Sequence, residues 1–272
     1  MDITDGLPAQ AVPEALLGRL RHWLFDEHVA CFVGMNPKWV PALELKATHT
    51  CRVCAEILQL GRRLGLDDDA LRVAELSALL HDVGRFEQYA RFQTYSDRRT
   101  FDHAAASVAT IRAMGLLEPL QPAVQQVVLE AVRNHNRLAV PETGSPASMF
   151  FSRLLRDADK LDIWRVAIDE YQGEQDHAFT RLDLPDTPGY QAAALQALDQ
   201  GRMVSLGVLR NINDLKLLQL GWFHDLNFQP SFACVRERGY VETLLGLLPS
   251  DPEIERVGRA VRAFVERGAQ GI

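Results

Sequence analysis

The chain has 272 residues, with 29 Lys plus Arg against 36 Asp plus Glu and a net charge of −7. Such a length holds one large domain or a domain with an extension, and its core needs no disulfide or structural metal merely to persist. Apolar residues at 47% and charged residues at 24% exclude general disorder, the acidic balance disfavours anionic membranes and non-specific nucleic-acid binding, and no run approaches the ~18 apolar residues of a membrane span. Residues 1–14 carry acids and prolines where a secretion signal carries a basic and then an apolar segment. With four cysteines and no such signal, the expected location is the reducing cytoplasm.

Apolar spacing is helical almost throughout and no stretch has a strand period, so the fold class expected is all-α. A first helix reads from Ala11 to Val29. Pro37 and Pro41 punctuate the link to a second, Pro41 to Leu64, whose stripe is His49, Val53, Ile57, Leu60 and Leu64 and which Gly65 stops. Asp67 is the predicted N-cap of a third helix ending near Asp82. A polar, aromatic, Arg-rich segment follows from Arg85 to Thr100. Helices then read at Phe101 to Met114, Gln121 to Asn134 and Ser145 to Tyr171. The prolines and glycine of Leu184 to Gly189 break the pattern. Beyond them helices are expected at Tyr190 to Gln200, Ser205 to Leu220, Phe232 to Leu247 and Pro252 to Glu266. Residues 1–45 are thus expected to form a helix and link packing on a core at 46–183, with 190–272 an accessory helical layer of the same domain.

Histidines and aspartates fall in order along the first six helices. His49 lies near the start of the second, His81 and Asp82 close the third, His103 opens the fourth, His135 ends the fifth, and Asp159 lies within the sixth. His49 heads the stripe with Val53 and Ile57. His135 continues Val124, Val128 and Ala131, and Asp159 follows Phe151 and Leu155 at four-residue steps. A carboxylate facing a core is costly unless paired or bound to a cation. Taken singly, each histidine reads as a hydrogen-bonded core or surface residue. The ordered set with inward phase points to a metal site of the kind helical bundles build. Mixed imidazole and carboxylate donors suit Mn²⁺, Fe²⁺, Co²⁺, Ni²⁺ or Zn²⁺ better than Ca²⁺.

The order His49, His81-Asp82, His103, His135, Asp159 resembles the HD superfamily of metal-dependent phosphohydrolases. His81-Asp82-Val83-Gly84 stands as its H-D-[IV]-G signature, and the segments Lys46 to Val53 and Asp157 to Asp162 look like its flanking motifs. The resemblance spans about Lys46 to Val166. It implies an HD-domain helical bundle whose metal-binding core lies within 46–183. It also implies one or two divalent ions: a first held by His49, His81, Asp82 and Asp159, and a second held by His103 and His135 with Asp82 bridging. Mg²⁺ joins the candidate ions. Three departures narrow the reading. Arg85-Phe86 stands where the (p)ppGpp-hydrolase branch has Glu-Asp, and Arg85 also replaces the Glu of the deoxynucleotide 5′-phosphatase branch. Gly84 to Tyr89 lacks the Gly-Tyr-Pro element of the cyclic-di-GMP branch.

The activity implied is cleavage of a phosphoester of a small molecule or nucleotide by a metal-bound hydroxide. Asp82, Lys160 and Arg85 are the catalytic candidates. Arg52, Lys46 and Asn136 are the substrate-binding candidates, with a helix cap the plainer reading of Asn136. Residues 46–162 carry 15 basic and 15 acidic side chains, so the acidity lies outside them. With ions bound, this segment is expected to receive an anionic substrate. A homodimer is left open, and no membrane partner is expected. Two other classes share the ligand order: HD-type di-iron oxygenases, and a non-catalytic ligand-sensing HD module.

Phe86, Tyr89, Phe92 and Tyr95 are read as a small satellite core, with a stacking lid the alternative. Cys51-Arg52-Val53-Cys54 lacks a second ligand pair and is read as two thiols on a helix turn. His224-Asp225 repeats the dipeptide without the ordered set, and is read as a helix end packed by Trp222 and Phe223. His22, His28 and His177 have no partner that the sequence names.

Overall fold

The computed structural model describes residues 12–173, 181–182 and 184–272. His177 and the N-terminal residues 1–11 lie outside them. Among the described residues there is no strand, and no helix is long and apolar enough to cross a membrane. The fold is all-α. The chain divides into two compact units, Met1–Asp159 and Lys160–Ile272.

In the first unit α1 (Glu14–His22) runs through a π-helical stretch (Trp23–Val29) into α2 (Ala30–Met35). The expected single helix therefore continues past Val29. His28, on the π stretch, reaches the Val83 carbonyl at 3.2 Å and packs edge-on to Phe32 and Phe86. Next come α3 (Val40–Arg63) and α4 (Asp68–Leu80). Gly65 stops α3 in the left-handed region at φ +77, which glycine adopts without steric cost. Asp67 caps α4 by accepting from Ala70 N–H at 2.8 Å. The predicted α3 stripe is buried from His49 through Leu60, with Leu64 half-buried at the helix end.

The Arg85 to Thr100 segment, to which no predicted helix was assigned, contains one. Its first part is helix α5 (Val83–Phe92), and only the remainder is loop with a 3-10 turn at Asp97–Arg99. The three-residue aromatic spacing is the stripe of that helix. Phe86, Tyr89 and Tyr95 are buried while Phe92 is exposed, so the satellite core holds three of the four rings. Helices α6 (His103–Ala113), α7 (Pro122–Asn134) and α8 (Pro146–Tyr171) follow, and the boundary between the units falls inside α8. Val53, Ile57, Val73, Leu76, Leu80, Val128 and Leu155 are fully buried. Each such side chain contributes roughly 1.5–3 kcal/mol by leaving water.

The second unit holds the rest of α8, then α9 (Ala192–Asp199), α10 (Ile212–Gly221), α11 (Gln229–Glu237), α12 (Tyr240–Gly246) and α13 (Pro252–Gln270). Gly239 at φ +66 splits the stretch expected as one helix from Phe232 to Leu247. Trp164 centres this core, stacking on Phe223 with centroids 4.4 Å apart and donating Nε1–H to the Gln219 carbonyl at 3.0 Å.

Helices α5 and α6 meet at Gly84. A Cβ there would lie 2.7 Å from Ser107 N and 2.8 Å from the His103 carbonyl oxygen, both backbone atoms that cannot swing aside. Gly84→Ala is expected to destabilise the fold by roughly 1–3 kcal/mol through overpacking, read as a lower midpoint in denaturant or heat.

Candidate metal centre

The centre is assembled from four helices and one turn. His49 comes from α3, His81 and Asp82 from the turn between α4 and α5, His103 from the first position of α6, His135 from the end of α7, and Asp159 from α8. All are buried except Asp159, which is partly so. Asp82 precedes α5 in the N-cap position but makes no side-chain cap bond. Gly84 N–H donates to Ser107 Oγ at 3.0 Å. A hydroxyl from α6 thus does a capping task that an Asp side chain ordinarily does, and the Asp82 carboxylate faces the cluster.

Its two oxygens face different pairs of imidazoles. Asp82 Oδ2 lies 3.7 Å from His49 Nε2 and 3.5 Å from His81 Nε2. Asp82 Oδ1 lies 3.4 Å from His103 Nε2 and 3.7 Å from His135 Nε2. Within the first group His49 Nε2 is 3.4 Å from His81 Nε2 and 3.0 Å from Asp159 Oδ1. Within the second, the His103 and His135 Nε2 atoms are 2.9 Å apart. Donors bound to one ion at ~2.1 Å sit about 3.0–3.4 Å from one another; the separations here, 2.9–3.7 Å, lie within a few tenths of an ångström of that range on both sides of Asp82. The groups His49, His81, Asp82 and Asp82, His103, His135 each bring their donor atoms within 4.8 Å.

The outer nitrogens explain the orientation. His81 and His135 donate Nδ1–H to the carbonyls of Ala78 at 2.7 Å and Val132 at 2.6 Å. A carbonyl can only accept, so each ring carries a proton on Nδ1 and points Nε2 at the cluster. Burial alone would raise the Asp82 carboxyl, but the Lys46 ammonium and the His81 and His135 imidazoles outweigh it and hold it well below its ordinary range. The Asp159 carboxyl is likewise held down, because the hydrogen bond and charge of His49 overcome burial. Burial, reinforced by the Arg85 charge, lowers His103 to about 3 and keeps it neutral.

The cations are distributed unevenly. Lys46 Nζ lies 2.8 Å from Asp82 Oδ2 and over the Tyr95 ring. Arg85 Nε is 3.5 Å from Asp82 Oδ1, while its Nη1 donates to Gln88 Oε1, the Tyr95 carbonyl and Asp97 Oδ1 at 2.6–2.9 Å. Arg52 is partly exposed one helical turn after His49. Asn136 donates to Asp102 Oδ1 at 2.8 Å and to Asp97 Oδ2 at 3.3 Å, on the loop side of the cluster. Lys160 opens the second unit, where its ammonium pairs with Asp225 at 2.7 Å.

Three contributors were missed by sequence reasoning. Asp97 accepts from His103 Nδ1 at 2.6 Å, and Gln88, fully buried, donates to Asp97, Thr100 and Phe101. Buried Arg156 donates to the carbonyls of Asn134, His135 and Arg137, which closes the α7 end that carries His135. Helix ends leave such carbonyls without partners. A local signal existed only for Asp102, whose carboxylate caps α6 through Ala104 and Ala105 N–H. The other His-Asp pair behaves differently. His224 packs on Phe264 at 4.5 Å, Asp225 pairs with Lys160, and Phe223 fills the core. All four cysteines are free thiols; burial raises Cys54 to about 12 and makes it a poor nucleophile.

An all-α bundle with imidazoles and carboxylates converging from several helices defines the class: a helical scaffold whose buried His/Asp cluster can hold metal. Residues 47–164 match the family model of the HD domain, so this segment of the chain is similar to HD domains. No curated protein and no solved structure matches it. HD domains are commonly metal-dependent hydrolases and typically bind divalent ions.

Because each Asp82 oxygen serves a separate imidazole pair, Asp82→Ala is expected to weaken binding on both sides. After chelation and reloading with Mn²⁺, elemental analysis should find less than one ion per Asp82→Ala chain. Wild-type occupancy in that variant would show that Asp82 is not needed to hold the ions.

Proposed function

We propose that the protein is a metal-dependent phosphohydrolase cleaving a phosphoester of a small molecule, with nucleotides the first class to test. The observation that carries the reading is the division of the Asp82 oxygens between two imidazole pairs, with cationic side chains beside the same carboxylate. In this reading His49, His81, Asp82 and Asp159 hold one divalent ion, and Asp82, His103 and His135 hold another. The ions are drawn from Mn²⁺, Fe²⁺, Co²⁺, Ni²⁺ and Zn²⁺, with Mg²⁺ also a candidate. A bound divalent ion supplies Lewis acidity, lowering the pKa of water and drawing charge from phosphoryl oxygens.

The chain's own groups orient and neutralise. Lys46 is held against Asp82 and over the Tyr95 ring as a point charge placed in advance beside the position of a phosphoryl oxygen. Arg85 is held by Asp97, Gln88 and a carbonyl, so its charge is fixed in advance and costs little reorganisation. Arg52 and Asn136 are assigned to the substrate's more distant groups. Lys160, in its pair with Asp225, is assigned a smaller part than Lys46. The free thiols accord with a reducing, cytoplasmic setting.

The test is phosphate release from a panel of phosphomonoesters, nucleotides and cyclic dinucleotides with each ion added in turn. Metal-dependent release is expected, lost with chelator and in the His81→Ala, Asp82→Ala double variant. Lys46→Ala is expected to lower kcat by about 10²–10³-fold, the range for removal of a preorganised charge donor. No release on any member would reject the proposal. Two irons after anaerobic purification, with O₂ uptake, would replace hydrolysis by oxygenation.

A further inference from the structure

His103 is oriented differently from the other imidazoles whose outer partners are described above. His81 and His135 each bond to a carbonyl three residues earlier, in the turn of helix that precedes them. His103 is the first residue of α6, and Thr100, three residues back, lies outside any α-helix at φ −134, ψ −104. The local carbonyl that serves the other two has no counterpart there. Instead the Asp97 carboxylate stands 2.6 Å from His103 Nδ1.

Asp97 is held firmly for a residue on a loop. Its Oδ1 accepts from Arg85 Nη1 and Gln88 Nε2, each at 2.9 Å, and Asn136 Nδ2 lies 3.3 Å from Oδ2. Gln88 is itself fully buried and bonded to both Thr100 and Phe101, which fastens the chain entering α6. The charge that sits behind His103 is therefore fixed by α5 and by the residue after His135. An imidazole that donates to a carboxylate is a stronger ligand at its other nitrogen than one that donates to a neutral carbonyl.

We infer that Asp97 is the positioning residue of the second metal position: it fixes the His103 tautomer, aims Nε2 at the Asp82 and His135 side, and sets the affinity for the second ion independently of the first. This rests on the two-position reading given above. A purely structural Asp97, serving only to anchor Arg85 and the loop, would affect both positions alike or neither.

The test titrates the metal-free full chain with Mn²⁺ by calorimetry and follows it by electron paramagnetic resonance. Wild type is expected to take two ions and to show a coupled two-ion spectrum. Asp97→Ala should bind the first ion as wild type does and the second about 10–100-fold more weakly, as expected for loss of an outer-shell partner. Its spectrum at matched loading should be that of an isolated ion. Asp97→Asn keeps an acceptor oxygen without the charge and should recover part of the loss. Unchanged second steps in both variants, or first and second steps weakened by the same factor, would overturn the inference. Should Asp97→Ala not fold, Asp97→Asn decides: a weaker second step alone supports the assignment, and a wild-type second step overturns it. A wild type that takes a single Mn²⁺ overturns the two-position reading as well, so the two failures are distinguishable.

Discussion

Asp82 carries a negative charge at 2% exposure, between two helices and away from bulk water. Stripping water from a carboxylate costs several kcal/mol even after the protein relaxes, and the fold can hold it there only by surrounding it with matched partners. Those partners come from distant parts of the chain. Lys46 and His49 arrive on α3, His103 on α6 and His135 at the end of α7, while Arg85 follows one turn later on α5 itself. The arrangement of the first unit's helices is in this sense the solvation shell of one carboxylate.

Several local features follow from that demand. The acid cannot also serve as the cap of α5, so Ser107 meets Gly84 N–H in its place. For Ser107 to come so near, α6 must pass α5 with no Cβ between them, which only glycine permits at position 84. The exposed turn before α6 becomes structured for a related reason. His103 needs an acceptor behind it, and Asp97 supplies one while Arg85 and Gln88 keep that carboxylate in place. Arg156 completes the set by satisfying the carbonyls at the end of α7 that carries His135.

His224-Asp225 shows how little a dipeptide decides without such surroundings. Asp225 meets one lysine, and His224 meets a phenylalanine ring. Neither is part of a described group of three potential ligands. The same two residue types at 81 and 82 belong to clusters of imidazoles and carboxylates because four other helices bring matching side chains to them.

The sequence by itself determined the all-α class, most helix positions and the inward phase of His49, His135 and Asp159. All three follow from the 3.6-residue period, which is a local property of the backbone. It also carried the resemblance to the HD domain, which the family-model match over residues 47–164 supports. Helix α5 was hidden because its polar and Arg-rich composition resembles a loop, and its stripe gains meaning only when Phe86 and Tyr89 are packed. The break at Gly239 was hidden because a glycine is tolerated inside a helical pattern until its φ turns positive. Asp97, Gln88 and Arg156 were illegible for a deeper reason. Their roles rest on bonds to residues 6 to 39 positions away, and no periodicity encodes such a pairing. Only the tertiary structure decided which oxygen of Asp82 faces which imidazoles, because that depends on where five helices cross.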